Sequence, residues 1–164
     1  MTDTHDRNAV EERLWQDIKK RGGTGMLGLS ASRQHFQPMT AFVERETGQI
    51  WFFTRKDTDL AKEIGEGGDA MFVFQDDKLQ ACIGGRLALA HDPERIDRYW
   101  NPVVAAWYPD GKDDPQLTLL RMDCADAEVW LSDDGMLKFG WEIAAANLKH
   151  RTPDIGGRAH LDFH

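Results

Sequence analysis

The stretch Ile50-Trp51-Phe52-Phe53-Thr54 constrains this chain most. Bulky apolar side chains follow one another between the Gly48 turn and a polar loop, Arg55-Lys56-Asp57-Thr58. So short an apolar run reads as a buried strand. Its partner is Gln37-Pro38-Met39-Thr40-Ala41-Phe42, joined through Glu44-Arg45-Glu46-Thr47-Gly48, a short, glycine-ended hairpin turn. Beyond Thr54 the chain turns polar, and Thr58 or Asp59 caps a helix that begins at Leu60. A strand, a loop and a helix start leave backbone N–H groups free for an anion. Arg55, Lys56 and Thr58 add side-chain donors there.

The rest of the chain alternates in the same manner. Val10, Leu14, Trp15 and Ile18 fall at helical spacing and predict a helix over 8–21, closed by Gly22-Gly23. Strands are expected at 24–30, 36–43, 49–54, 70–75, 79–90, 117–123 and 127–131. Gly84-Gly85 inside 79–90 marks a bulge or a close backbone approach. Asp92 caps a helix with Pro93 in its first turn, and a second short helix follows Asn101-Pro102. The turns at Asp76-Asp77, Asp113-Asp114 and Asp133-Asp134 read as solvated. A helix at 141–149 and a polar, extended tail complete one domain spanning 1–164. Six or seven strands with inserted helices predict a mainly β, α+β chain closed into a small antiparallel barrel.

Composition narrows the function. A net charge of −8 over 164 residues argues against a non-specific nucleic-acid binder and against an anionic membrane surface. The charged N-terminus predicts no signal peptide, and no apolar run approaches a membrane span. Two isolated cysteines, Cys82 and Cys124, fit reduced thiols in the cytoplasm. The six histidines are scattered; His160 and His164 would share a face only on a helix, and no metal site is expected. Neither a nucleophile elbow nor a phosphate-binding glycine loop occurs. Six tryptophans suit a core, an interface or a platform for a planar ligand.

Three blocks, Pro38-Met39-Thr40, Trp51-Phe52-Phe53-Thr54 and Trp100-Asn101-Pro102 with Trp107-Tyr108-Pro109-Asp110-Gly111-Lys112-Asp113-Asp114-Pro115, together resemble one family. It is the general stress protein 26 group of pyridoxamine 5′-phosphate oxidase-like flavoproteins; Glu128-Val129-Trp130 adds to the match. The resemblance implies an antiparallel split β-barrel that dimerises with itself and holds FMN, in preference to FAD, at the subunit interface. It implies that Gln37, Pro38, Met39 and Thr40 run beside the flavin ring. Phe53 and Thr54 would lie near the ribityl phosphate, and Arg55 and Thr58 at the phosphate. Gln80 would reach the flavin, and the other subunit would close the pocket, with Trp107 and Trp141 as contributors. Two departures stand out: Gln37 occupies a usual arginine position, and Asp59-Leu60 replaces an Arg-Lys pair. Leu60 is therefore a candidate by position, and FMN binding weaker than in the oxidases is expected. The implied activity is that of a flavin-dependent oxidoreductase on a small substrate. The alternatives are a non-catalytic flavin-binding or flavin-buffering protein and, third, pyridoxamine 5′-phosphate oxidation. Arg158-Ala159-His160 resembles an oxidase Arg-x-His, but the Trp-containing segment that follows in the oxidases is missing, which reads as coincidence.

Overall fold

A computed structural model describes residues 4–132 and 157–163. Helix α1 (Thr4–Lys20) precedes strands β1 (Thr24–Leu29), β2 (Gln37–Thr40), β3 (Phe42–Glu44) and β4 (Gln49–Arg55). Helix α2 (Asp59–Ile64) leads to β5 (Gly68–Gln75) and β6 (Leu79–Ala90). Helices α3 (Pro93–Tyr99) and α4 (Pro102–Ala105) and a 3-10 turn (Gly111–Asp113) come before β7 (Leu117–Leu131) and β8 (Gly157–Asp162). The strands form one antiparallel sheet in the order β2-β1-β5-β6-β7-β4-β3, and β8 also pairs with β7. This is the expected split β-barrel, with eight strands among the described residues rather than six or seven. The expected 141–149 helix and Trp141 lie outside the described residues.

The strands expected at 117–123 and 127–131 are one strand. Gly84 pairs with Asp126 and Gly85 with Cys124, so Ala125 is an extra residue accommodated by a bulge. The bulge sits at the glycine pair marked in the sequence. A side chain on Gly85 would place its Cβ 2.3 Å from the Asp123 carbonyl oxygen. On its other edge β7 pairs with β4 through Leu117–Asp123 and with β8 through Asp126–Leu131.

The central hairpin also differs from expectation. Gln37–Thr40 does not pair with the 50–54 strand; it pairs with β1, Pro38 opposite Met26, and only Phe42–Glu44 pairs with β4. Between them Ala41 N–H donates to the Gly23 carbonyl at 2.8 Å. The chain thus changes partners at Ala41. Pro38, which has no N–H to donate, lies on the edge strand β2.

Strand β4 is buried on both faces, as its apolar run predicts. Ile50 and Phe52 enter the barrel core with Phe72, Phe74, Leu120 and Met122, and α1 contributes Leu14 and Ile18. Trp51 and Phe53 face the other way, joining a second cluster with Leu117, Leu119, Ile96, Val104 and Tyr108. That cluster fastens α3 and α4 to the outside of the sheet.

The described part of the tail, residues 157–163, is extended, as expected, and pairs with β7. His160 stands opposite Glu128 in the β7–β8 register, which rules out a helical His160–His164 face. Its Nδ1 lies 2.7 Å from Glu128 Oε1, and its Nε2 lies 3.3 Å from Asp162 and 3.6 Å from Asp126. Arg158 Nε donates to Glu128 Oε2 at 3.0 Å. These carboxylates, Glu128 foremost, raise the His160 pKa above its ordinary value, while Arg158 and His160 lower that of Glu128. A raised folded-state pKa gives His160 a stabilising role that is complete below the unfolded value, about 6.5, and fades as pH rises through the folded value. Glu128 acts oppositely, losing its contribution as pH falls through its depressed pKa. The stability gap between wild type and His160→Ala is therefore expected to be widest at about pH 5 to 6.5 and to narrow steadily as pH rises above about 6.5. Thermal unfolding of both proteins across that range tests this, and a pH-independent gap overturns it.

Candidate functional site

A cleft of about 1010 Å³ lies between the β2–β3 crossing, the end of β4 and the α3–α4 segment. Gln37, Pro38, Met39, Thr40, Phe53, Thr54, Arg55, Thr58 and Trp107 all line it. Of the described residues singled out in the sequence for this site, Lys56, Leu60 and Gln80 do not. Leu60 is buried in the barrel core. Gln80 stands at the far end of β6, where its Nε2 donates to the Asp76 carbonyl at 3.0 Å.

At one end of the cleft β4 runs into α2. Thr58 caps α2: its hydroxyl accepts from Ala61 N–H at 3.2 Å and donates to the Arg55 carbonyl at 2.9 Å. The Thr54 and Thr58 hydroxyls are 3.3 Å apart. Thr58 has a single hydroxyl proton, already given to Arg55, so Thr54 is the donor between them. Arg55 makes a two-pronged pair with Asp57, Nε to Oδ1 at 3.1 Å and Nη2 to Oδ2 at 3.2 Å. That pairing holds the Asp57 carboxyl below its ordinary pKa. Only six residues long, α2 contributes little dipole, so the polarity of this end comes from side chains.

The walls are aromatic. Phe42 stacks on Tyr99 with ring centroids 4.7 Å apart and meets Phe53 edge-on at 5.7 Å. Phe53 in turn packs at 6.1 Å from Trp100 and 6.4 Å from Tyr108. On α4 and just after it, Val104 and Tyr108 are buried against the sheet, while Val103 and Trp107 remain 72% and 69% exposed at the cleft. The Asn101 side chain caps α4 by accepting from Val104 N–H at 2.8 Å.

The wall also contains a residue read from sequence as the start of the hairpin turn. Glu44 ends β3 and is buried. Its two carboxylate oxygens accept from Arg95 Nε and Nη2, each at 2.9 Å, and from the Thr47 hydroxyl at 3.2 Å. The Tyr99 hydroxyl donates to Glu44 as well. Arg95 also reaches Asp92 at 2.7 Å and lies 4.3 Å over the Trp51 ring. Chiefly through the Arg95 hydrogen bonds, the Glu44 carboxyl is held below its ordinary pKa, and burial together with Glu44 pushes the Tyr99 hydroxyl up to about 12. Asp114, another turn carboxylate, is likewise buried and accepts from Gln116 N–H at 2.9 Å. Glu44 and Tyr99 escaped the sequence reading because the residues they join lie 51 and 55 positions apart. The one local sign was Asp92-Pro93, which placed α3 correctly and with it Arg95.

A mainly antiparallel split barrel with this cleft defines a class, and comparison identifies it. The family model described as pyridoxamine 5′-phosphate oxidase like matches residues 9–154. A structure described as a general stress protein 26 from Jannaschia sp. CCS1 is 34% identical, covers 96% of this chain and 99% of its own, and superposes with a TM-score of 0.77. A general stress family protein from Xanthomonas campestris pv. campestris is 41% identical over 83% of this chain and 94% of its own, with a TM-score of 0.72. The general stress FMN/FAD binding protein of Xanthomonas citri is also 41% identical, over 79% of this chain and 93% of its own, with a TM-score of 0.71. No curated relative matches the chain. The chain belongs to the pyridoxamine 5′-phosphate oxidase-like family, among its general stress protein 26 relatives.

Glu44 is expected to tie α3, and with it the cleft wall, to the β3–β4 hairpin. Glu44→Gln keeps the shape and removes the charge. Arg95 retains Asp92 and a fifth of its side-chain exposure, so the loss is that of charge-assisted hydrogen bonds, about 1.5–3 kcal/mol, and not the larger cost of a fully buried orphan charge. Urea denaturation measures it; a variant as stable as wild type would show that the tie carries no net energy.

Proposed function

We propose that this cleft binds FMN and that the protein is a flavin-dependent oxidoreductase of the stress-response type. The observation that carries the reading is a single cleft combining a polar end of Thr54, Arg55 and Thr58 with an aromatic wall of Phe42, Phe53, Trp107 and Tyr108. The donor set suits a phosphorylated tail, and the wall suits a ring. One such polar end favours one phosphate group, hence FMN over FAD. Bound FMN would supply the electron chemistry; the chain's own part is to orient it and keep water from the ring. Among the described residues no cluster of His, Cys, Asp and Glu is arranged to hold a metal, and no helix is long and apolar enough to cross a membrane. A non-catalytic flavin-binding role rests on the same cleft and is separated by whether NADH or NADPH reduces the bound flavin.

The cleft also supports a homodimer with the flavin between subunits. Met26, Val73 and Cys82 are register partners across β1, β5 and β6, with Met71 one step along. Met26, Met71 and Val73 are 39%, 41% and 37% exposed, and the Phe36 ring covers Gly28 beside them. An apolar sheet face of this kind is a docking surface. Pro38 belongs both to this face and to the cleft lip, so a second copy on the face would close the cleft. Gln80, on the same side of β6 as Cys82, would then have a route to a flavin that it lacks in its own chain.

Two outcomes are expected. Replacing both Arg55 and Thr58 with Ala should weaken FMN about tenfold or more, at about 1.4 kcal/mol per decade, and leave riboflavin nearly unchanged, as read by flavin fluorescence titration. Equal losses for both ligands would remove the phosphate role. Met71→Glu should convert a dimer, sized by light scattering, into a monomer; a wild-type monomer overturns the assembly.

A further inference from the structure

We propose that Asp57 is a specificity-determining residue that weakens recognition of phosphorylated ligands by occupying Arg55 in their place. The inference rests on the flavin-binding reading of the cleft and concerns how its polar end is tuned. Arg55 lines the cleft and Asp57 does not, yet the Nε–Nη2 edge of the Arg55 guanidinium is committed to Asp57, at 3.1 and 3.2 Å, which leaves only its Nη1 edge for a ligand. A carboxylate presents to arginine the same two-oxygen face as a phosphate. Asp57 therefore stands in for the ligand's anion.

The rest of that end is also self-satisfied. The Thr58 proton goes to the Arg55 carbonyl and the Thr54 proton to Thr58, so neither hydroxyl offers a free donor. The nearby charges are of both signs as well: Lys62 acts on Asp57 and Asp114 on Arg55. An incoming phosphate must either displace Asp57 from the Nε–Nη2 edge or take the other edge of a guanidinium whose charge Asp57 already answers, and in both cases it sits near the Asp57 carboxylate. The pair can be broken, since the two side chains are 35% and 52% exposed and exposed pairs are individually weak. The repulsion persists after it opens. FMN should consequently gain less over riboflavin in this protein than the presence of Arg55 alone suggests.

Fluorescence titration of FMN and of riboflavin against wild type, Asp57→Asn, Arg55→Ala and the double variant tests this. Asp57→Asn is expected to tighten FMN about tenfold, steepen its salt dependence and leave riboflavin unchanged. In the Arg55→Ala background the same substitution should bring a clearly smaller gain, because only the direct carboxylate–phosphate repulsion is then relieved. An unchanged FMN-to-riboflavin ratio in Asp57→Asn, or an undiminished gain without Arg55, overturns the inference while leaving flavin binding intact. Failure of every variant to bind either flavin sinks the flavin reading, and this inference with it.

Discussion

The molecule depends on β7 having two neighbours along one edge. Its other edge runs unbroken beside β6, but β4 takes its first half and β8 its second. The bulge at Ala125 makes this division, adding a residue where the strand passes from one neighbour to the other. Because β4 ends its pairing there, the sheet curls without closing as one ring, and β4 keeps both faces available for burial. One face fills the barrel; the other receives α3 and α4. The cleft exists because that second layer stops short of β2.

Charge in the cleft is largely answered within the protein. Glu44 is neutralised by Arg95 and steadied by Tyr99 and Thr47, which turns a buried carboxylate into a clamp on the wall. Arg55 is answered by Asp57 in the open, where the pairing is weaker and can yield to a ligand. The two pairs look alike on a list of contacts, yet their exposure gives them different uses: one holds structure, the other regulates access to a cation.

The polar end of the cleft was legible because every piece of it is local. Thr54, Arg55 and Thr58 come together through a strand end, a four-residue loop and a helix cap, all within one short segment. The Gly84-Gly85 bulge and the Asp92-Pro93 helix start were legible for the same reason. The hairpin was misjudged because period and length say that Gln37–Phe42 is extended and say nothing about which strand it joins. Pairing was decided by the Ala41–Gly23 hydrogen bond and by the switch from β1 to β4. Likewise 117–123 and 127–131 carry the marks of two strands, and only β6 running alongside shows them to be one. Glu44 followed a turn-like string, and nothing in its neighbours reveals Arg95 some fifty positions on.

Alone, the amino-acid order determined which segments are extended, which are helical, where the caps and glycines fall, and that β4 must be covered on both sides. These follow from backbone sterics and from the pattern of apolar side chains, which act over a few residues. Tertiary structure alone decided the partners of β2 and β3, the shared edge of β7, and the burial of Glu44 against Arg95. Those outcomes depend on which surfaces meet and on how much water remains between opposite charges, and both are set only when the sheet has curled.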